Sequence, residues 1–499
     1  MSIDASPPPC DSTDEDRGWS PRLVCSLVSI VLLLEMLAVS YMMISIALPD
    51  ILVHYETTQG AWLLTAFLLV GAISCPLVGR LADRHGKRAI LLGCAVSAAL
   101  GSLLSALAPT YPVLIAGRAL TGLLTPCLFL SYSLIRDVYP KRTVPMAVSI
   151  ATSGMGAITV LAPFLAGWLI DTFGFRSIFW FTMIGLAVLA VLIAFTTAET
   201  SIRTDGRLDP IGALLLSGGL AGVLVAISFG PQWGWTAPST LGTLIGGAVL
   251  LGFWLVSARR VREPLIDLPV LCSRPVALTT IGAGACYGAG VVFSLVLPLM
   301  CMTPSTLGLG YGFGVTAQGF SIFQAPFGAA TLVGGIVVGL CARRVPLRSL
   351  MAAGLLIEVL AAALAAGVHD HKVLLIVFIG VFGFGQGLIY ASIPNLVIAA
   401  VVPKLQASAA SIVAVAQSLV SAIVPIIAFA ILNSRIAVVA GEQTFYSDLG
   451  ITLVFVLSAT VAAIGAIAAA TLPRTIRPLA LNDSGSLGAS AKPGAEVTA

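Results

Sequence analysis

The sequence predicts an all-α polytopic membrane protein, and three observations lead to that fold class. Only 10% of the 499 residues are charged and the mean hydropathy is +1.03, whereas soluble domains carry about 25% charged residues. The apolar residues fill whole segments of about 20 residues, the length that a helix needs to cross the ~30 Å hydrocarbon core. These runs are continuous and do not alternate, which excludes the strands of a membrane barrel.

The apolar segments predict fourteen membrane-spanning helices. The predicted spans are residues 23–48, 59–79, 88–108, 113–135, 145–169, 177–197, 210–229, 238–257, 277–300, 317–340, 349–367, 373–394, 408–432 and 449–471. The two tails are predicted to be disordered, because residues 1–21 are rich in Pro and Asp and residues 473–499 are rich in Ser, Gly and Ala. The first tail also lacks the basic start of a cleavable signal peptide.

The distribution of basic residues predicts the orientation of the chain. If the N-terminus lies inside, nearly all Lys and Arg residues fall in cytoplasmic loops, and only Arg176, Lys372 and Arg435 fall outside. Arg118 lies within a span. Such a bias follows the positive-inside rule, so we expect an N-in, C-in topology in the cytoplasmic membrane.

An internal repeat predicts two related halves. Gly79–Arg88, after the second span, aligns without gaps with Gly339–Arg348, after the tenth, at a Gly, an Ala, an Arg and a final Arg. Duplicated halves with a substrate site between them are common in secondary transporters. The predicted domains are the tail 1–21, a six-helix half 22–200, two extra central helices 201–262, a second six-helix half 263–472 and the tail 473–499.

Composition and motifs exclude several classes of function. The net charge of +4 comes from short loops, so no nucleic-acid partner is expected. The nine cysteines are scattered without a C-x-x-C pair, which favours packing over a metal or disulfide site. Since no Walker phosphate loop or G-x-S-x-G motif occurs, the sequence predicts neither an enzyme nor a cofactor. Any work must then be driven by an ion gradient.

Three charged residues lie within predicted spans: Glu35, Arg118 and Glu358. A charge at the bilayer centre costs roughly 2.5–3.5 kcal/mol on insertion scales, so such residues are usually functional. We expect Glu35 and Arg118 to serve the function. Glu358, in the middle of span eleven, is expected to serve helix packing or a contact with a partner on the lipid side; the alternative is a role in coupling.

The loop Gly79-Arg80-Leu81-Ala82-Asp83-Arg84-His85-Gly86-Lys87-Arg88 resembles the loop motif of the major facilitator superfamily, and specifically of its fourteen-span drug:proton antiporters. The resemblance implies the major facilitator fold of two six-helix halves, here with two extra central helices. It also implies a latch that joins neighbouring helices on the cytoplasmic side and favours the outward-open state. The residues of this latch are Gly79, Asp83, Arg84, Gly86 and Arg88. A loop that is merely positive-inside would explain the cations but not the embedded Asp or the glycines.

Two further segments extend the resemblance. Gly117–Gly122 resembles the family's R-x-x-Q-G motif, which implies that Arg118 takes part in proton coupling; the alternative is an arginine that snorkels to the interface. Ser40–Pro49 resembles the D-x-T-x-x-N-x-A-L-P signature, with Ser40 in place of the acid. We hypothesise that Glu35, five residues earlier, has become the proton-carrying carboxylate. The alternative is a carboxyl that stays neutral and hydrogen-bonded to a neighbouring helix.

Several less apolar side chains within the spans are candidates for lining a substrate cavity. They are Met42, Gln324, Gln386, Tyr390 and Gln417. Flexible thioethers suit a promiscuous pocket, although a methionine can also simply fill space in a span. The glutamines and the tyrosine can equally form hydrogen bonds between helices.

The predicted function is secondary active transport by alternating access, as proton-coupled efflux of hydrophobic or amphipathic small molecules. The expected partners are the lipid bilayer, a small-molecule substrate and protons, for a monomer in the cytoplasmic membrane of a bacterium. Alternatives in the same class are an uptake carrier and an exporter dedicated to a metabolite, lipid or natural product. An alternative in another class is a transport-inactive receptor or scaffold.

Overall fold

The computed structural model describes most of the chain. The described residues are 19–57, 61–153, 155–200, 209–261, 272–315, 319–342, 344–401, 406–440, 443–473, 479–481 and 487–489. Within them lie sixteen α-helices: α1 (Pro21–His54), α2 (Ala61–His85), α3 (Lys87–Ala106), α4 (Tyr111–Thr121), α5 (Cys127–Val138), α6 (Val144–Ser153), α7 (Met155–Phe173), α8 (Ser177–Thr196), α9 (Pro210–Trp233), α10 (Pro238–Arg260), α11 (Arg274–Cys301), α12 (Ser321–Cys341), α13 (Leu347–Gly367), α14 (Lys372–Ala400), α15 (Gln406–Asn433) and α16 (Asp448–Ala470).

The prediction of an all-α polytopic membrane protein is confirmed. Thirteen helical segments in the described part of the chain are long and apolar enough to cross a membrane. The predicted span 145–169 corresponds to α6 and α7, which flank residue 154, a position outside the described residues. The count of fourteen and the N-in, C-in orientation therefore stay predictions.

Local sequence signals set several helix starts. The side chains of Ser20, Asp209 and Ser447 accept hydrogen bonds from the backbone N–H of the first turns of α1, α9 and α16, respectively. Pro21 and Pro210 follow the first two of these caps. Proline fits the first helical position because its missing N–H would have no partner inside the helix there.

The fourth predicted span, 113–135, is interrupted in the structure. The helix α4 ends at Thr121, a short 3-10 turn covers Gly122–Leu124, and α5 begins at Cys127. Pro126 lies in this break, where its ring and its missing N–H disfavour a continuous α-helix. The interruption places Arg118 in the last turn of α4.

Two short hairpins were not predicted. The strands β1 (Ile436–Ala440) and β2 (Gln443–Tyr446) pair antiparallel between α15 and α16. The strands β3 (Leu479–Leu481) and β4 (Leu487–Ala489) pair antiparallel within the C-terminal tail 473–499, which differs from the disorder predicted there.

The glycine-rich segment after α11 folds back onto the second half. Gly308, Gly310, Gly312 and Gly314 all have positive φ angles, which residues with a Cβ rarely adopt. This backbone places Tyr311 in a buried position, where its hydroxyl donates a 2.6 Å hydrogen bond to the carbonyl oxygen of Tyr446. The segment is therefore an ordered cover on one end of this half.

The long helices fall into an N-terminal group, α1–α8, and a C-terminal group, α11–α16, called the two halves below. The halves meet along two seams, where α2 packs on α15 and where α6 and α7 pack on α12. The helices α9 and α10 pack against each other, and α9 also contacts α2 and α15. The two extra central helices thus cover one of the seams from outside.

The buried apolar side chains show that the two ends of the bundle differ. At the end that carries Arg80, Arg84, Lys87 and Arg88, called the basic end below, one cluster joins helices of both halves, from Leu130 to Ile389 for example. At the opposite end, each half has its own cluster, one in the N-terminal half and one in the C-terminal half. Among the described residues, the apolar interior is therefore continuous between the halves only toward the basic end.

We predict that Gly383→Ala destabilises the fold. A Cβ at Gly383 would lie 3.0 Å from Cα of Phe327 and closer still to its carbonyl oxygen, so α12 and α14 would have to separate. Overpacking of this kind costs about 1–3 kcal/mol. The thermal unfolding midpoint of the protein in detergent should fall. The control is Gly252→Ala on the exposed side of α10, where no atom lies within 4 Å of the added Cβ; equal midpoints for the two variants would contradict the prediction.

Candidate functional site

Arg118 is buried in the N-terminal half and does not snorkel to an interface. Its side chain is 1% exposed, and its guanidinium lies 4.7 Å from the centroid of the Phe67 ring. Its Nη1 donates a 3.0 Å hydrogen bond to Oγ of Ser40, and its Nε donates to the carbonyl oxygen of Leu63 at 3.4 Å. The arginine thus contacts the very position at which the signature of span one has lost its acid.

Glu35 lies on the same helix as Ser40 but on a different face. Five residues of α-helix correspond to a rise of about 7.5 Å and a rotation of about 140° from the first side chain. Glu35 is 5% exposed, and its Oε2 has no hydrogen-bond partner among the described residues. The described contacts of Arg118 go to Ser40 and Leu63, so the structure does not bring Glu35 and Arg118 together as an ion pair.

The loop that carries the predicted latch also takes part in a buried ion pair that the sequence analysis missed. Nζ of Lys87 lies 2.7 Å from Oδ2 of Asp137, and both side chains are 1% exposed. The hydroxyl of Thr200 donates to the same Oδ2 at 2.7 Å. The pair joins the start of α3 to the end of α5. The available signal was an acid at the end of a span that faces a loop of cations.

Glu199, which follows α8, also holds the loop of the predicted latch in place. Its carboxylate accepts hydrogen bonds from the backbone N–H groups of Arg88 and Ala89, at 3.0 and 2.9 Å, and so caps the N-terminus of α3. Gly86 lies directly against this carboxylate with a φ of 110°, and a Cβ there would lie 2.9 Å from Cδ of Glu199. The glycine of the motif is therefore required by both its backbone conformation and the close approach of Glu199.

The predicted latch residues occupy different environments. Gly79 and Asp83 are buried, whereas Arg84 is exposed. Nη2 of Arg88 donates to the carbonyl oxygen of Ala194 near the end of α8. In the second half, Nη1 of Arg348 donates to the carbonyl oxygen of Leu472, just after α16. The final arginine of each repeat thus contacts the end of the last helix of its own half, which supports the internal repeat.

Polar contacts also join the two halves at the basic end. Nη1 of Arg136 donates to the carbonyl oxygen of Val401 at 3.0 Å and to Oε1 of Gln406 at 2.5 Å. Nδ2 of Asn395 donates to Oγ of Ser149 at 3.4 Å. These bonds must break before the halves can separate at this end.

Of the five candidate cavity residues, two are in direct contact. Nε2 of Gln386 donates a 2.8 Å hydrogen bond to the hydroxyl of Tyr390, one turn further along α14. Met42, Gln324 and Gln417 lie on α1, α12 and α15, so the structure does not gather the five into one cluster.

The sequence analysis missed Tyr287, whose ring packs against that of Tyr390 with centroids 4.8 Å apart and ring planes tilted by 34°. Both tyrosines pack against the buried cluster that joins the two halves, to which Tyr132 of the N-terminal half also belongs. The available signal was a single aromatic residue within a run of Gly and Ala.

An open apolar groove lies elsewhere on the described surface. It has a volume of about 460 Å³, lies between α3 and α8, and is lined by apolar side chains, among them Leu92, Val96, Leu100, Met183 and Val191. Several of these side chains are strongly exposed, as expected of a surface that faces acyl chains in the bilayer. The groove is separate from the buried charges of the site.

The geometry defines a class of protein: a polytopic helical carrier with two repeated halves, charged groups buried between helices and polar contacts that close one end. Comparison with known families agrees, since the model for the Major Facilitator Superfamily matches residues 29–425. The chain belongs to the Major Facilitator Superfamily. It is therefore a multi-pass membrane transporter and not an enzyme.

Relatives and a solved structure support this assignment. The chain is 27% identical over 395 residues to the uridine/deoxyuridine transporter of Lactococcus lactis, covering 75% of this chain and 79% of that protein. It is 29% identical over 419 residues to the multidrug resistance protein Stp of Mycobacterium tuberculosis, covering 83% and 75%. The crystal structure of the human organic anion transporter MFSD10 (TETRAN) aligns with a TM-score of 0.62 at 17% identity, over 90% of this chain and 100% of that one. At that identity the structural match supports the fold alone.

We predict that Asp137→Asn strongly destabilises the protein. The substitution removes the carboxylate that lies 2.7 Å from Nζ of the buried Lys87, and breaking a buried pair costs about 3–5 kcal/mol. The measurement is the thermal unfolding midpoint in detergent, with the exposed Asp171→Asn as the control. The double variant Lys87→Met/Asp137→Leu should recover much of the loss, because it removes both charges. A single variant as stable as the control would contradict this account of the latch.

Proposed function

We propose that the protein is a proton-coupled exporter of hydrophobic or amphipathic small molecules. One observation carries the proposal. A carboxyl group, Glu35, is buried at mid-depth with an unpartnered oxygen, on the helix whose Ser40 binds the buried Arg118. A group of this kind can be neutral or ionised at moderate energetic cost only if its access to water changes during the cycle.

The coupling follows from the cost of a buried charge. Ionised Glu35 is tolerated only while water reaches it, so the carboxylate favours a conformation that is open to one side. Protonation removes the charge, which allows the surrounding helices to close and the halves to move. Arg118 stays charged throughout and is held by Ser40 and Leu63. Its bond to Ser40 joins α4 to α1, the helix that carries Glu35.

The packing supports an outward-facing conformation. The halves share a buried cluster and the bonds of Arg136 and Asn395 toward the basic end, while their apolar clusters are separate at the other end. With the basic end in the cytoplasm, as the positive-inside rule favours, this conformation is closed inside. Binding of an external proton would then accompany release of substrate, which is the sense of exchange expected of an exporter.

The proposal includes the partners, the location and the domains given by the sequence. The protein would act as a monomer in the cytoplasmic membrane of a bacterium, with the extra helices of 201–262 between halves 22–200 and 263–472. The Mycobacterium tuberculosis relative named a multidrug resistance protein supports this substrate class.

A second candidate is a carrier dedicated to one polar metabolite. The hydrogen-bonded pair Gln386–Tyr390 offers directional polar contacts beside an aromatic ring, and one relative is named a uridine/deoxyuridine transporter. A substrate panel that includes nucleosides and lipophilic dyes distinguishes the two candidates.

We predict that Glu35→Gln abolishes proton-driven transport but preserves folding and substrate binding. The amide fits the same space but cannot carry a proton. The assay uses proteoliposomes with an imposed pH gradient, to which the substrate panel is added while internal pH is recorded. Asp50→Asn, an exposed acid on the same helix, is the control and should behave as the wild type. Undiminished proton-driven transport by Glu35→Gln would end the coupling hypothesis.

A second prediction tests whether Glu35 replaces the acid that is missing at position 40. In the Glu35→Gln background, Ser40→Asp would place a carboxylate beside Nη1 of Arg118, which lies 3.0 Å from Oγ of Ser40. We expect the double variant to regain proton-driven transport in part. If it folds and binds substrate but stays as inactive as Glu35→Gln alone, the two positions are not equivalent.

A further inference from the structure

Each half of the protein contains one carboxyl group buried at mid-depth. Glu35 follows Leu34 of the shared cluster on α1 and precedes Val39 of the N-terminal half's own cluster. Glu358 lies on α13 in the same way, between Leu355 of the shared cluster and a residue of the C-terminal half's own cluster, Ala361. The two carboxyls therefore occupy corresponding depths in the two halves.

Glu358 is more completely buried than a helix contact alone requires. It is 0% exposed, its Oε1 accepts a 3.3 Å hydrogen bond from Sγ of Cys286, and its Oε2 has no partner among the described residues. A role in packing alone would be served by an uncharged amide or an apolar residue, since a buried acid with an unsatisfied oxygen costs stability.

The groups around Glu358 include no cation in the described part of the chain. The helix α13 packs on α11, α14 and α16. The titratable groups near Glu358 are Cys286 from α11 and Tyr390 from α14, and Tyr287 of α11 packs against Tyr390. From Gly450 to Ala470, α16 carries no acidic or basic residue. With no counter-charge nearby, an ionised Glu358 is stable only when water reaches it.

Polar and aromatic groups connect Glu358 to the interface between the halves. Tyr390 lies within electrostatic range of Glu358, accepts a hydrogen bond from Gln386 and packs against Tyr287. Tyr287 in turn lies within electrostatic range of Tyr132, a residue of the N-terminal half. A movement of the halves that separates these tyrosines would therefore open the way for water toward Glu358.

We propose that Glu358 is a second proton-binding carboxyl, so that each half takes up one proton and a transport cycle moves two. When water reaches the cluster from one side, the carboxylate of Glu358 accepts a proton from it. The neutral acid is carried through the closed conformation, and the proton returns to water on the other side. This inference rests on the proposed proton coupling: protonation of Glu35 remains the step that the movement of the halves requires, and Glu358 adds a second proton to the same cycle.

The first experiment follows the protons directly and needs no substrate. Infrared difference spectra of the purified full-length protein after a pH change report the carbonyl stretch of protonated carboxylic acids. We expect two buried carboxyls to titrate in the wild type and the corresponding signal to fall by about half in Glu358→Gln and also in Glu35→Gln. An unchanged signal in Glu358→Gln would show that this group never ionises and would overturn the proposal.

The second experiment measures the coupling ratio in proteoliposomes, with ethidium and uridine as probes and the membrane potential held at zero. At equilibrium with a pH gradient, the substrate ratio should change about a hundredfold per pH unit if two protons move and about tenfold if one moves. We expect the larger value for the wild type and the smaller for Glu358→Gln. The same ratio for both would overturn the second proton site, whereas no response to pH in the wild type would instead refute the proposed function.

Because Glu358 is fully buried, folding must be checked separately. Glu358→Gln keeps an acceptor for the thiol of Cys286 and should retain the thermal unfolding midpoint of the wild type within a few degrees. Cys286→Ala removes the thiol but leaves the carboxyl, so it should keep the coupling ratio of the wild type. If Cys286→Ala also shows only the tenfold change in substrate ratio per pH unit, the pair Cys286–Glu358 serves packing, and the proposal is contradicted.

Discussion

The structure depends on the high free energy of an unpaired charge inside a bilayer. Most charged residues lie in the loops, and few are buried within the helical bundle. The buried charged groups differ in the partners that stabilise them. Arg118 is held by a hydroxyl, a carbonyl oxygen and an aromatic face. Lys87 has a carboxylate partner. The two buried glutamates each have an oxygen with no partner among the described residues, and each can lose its charge by binding a proton.

The cost of an unpaired buried charge also explains why the basic end of the bundle differs from its middle. Oδ2 of Asp137 accepts hydrogen bonds from Lys87 and Thr200, and the carboxylate of Glu199 accepts two from the start of α3, so these contacts favour one arrangement of α3, α5 and α8. Within each half, an arginine fixes the end of the last helix in the same way. Each half can therefore move as a rigid unit, and the bonds of Arg136 and Asn395 between the halves are the ones that have to change.

The sequence was sufficient for the fold and for part of the site. Continuous apolar segments and the loop motif predicted the helical bundle and its family, because hydrophobic length and glycine spacing are local properties. The break at Pro126, the hairpin after α15 and the pairing of Lys87 with Asp137 were not predicted. The ion pair joins residues that are 50 positions apart, and the choice among several cations in the loop depends on packing that no local pattern encodes. The sequence also left open whether Arg118 is buried or reaches an interface. In the structure, α4 ends just after Arg118, and its side chain bonds to Ser40.

Glu358 shows how little a residue's place on a helix reveals about its surroundings. The sequence favoured a packing role. In the structure the side chain points into the C-terminal half toward Cys286, not toward lipid, and a hydrogen-bonded glutamine and two tyrosines in mutual contact lie between it and the other half. Packing on its own does not explain an acid there, because the cysteine satisfies only one of its two oxygens. An acid that shares the depth of Glu35, and that lies behind a polar cluster able to open when the halves separate, has the properties that a second proton carrier needs.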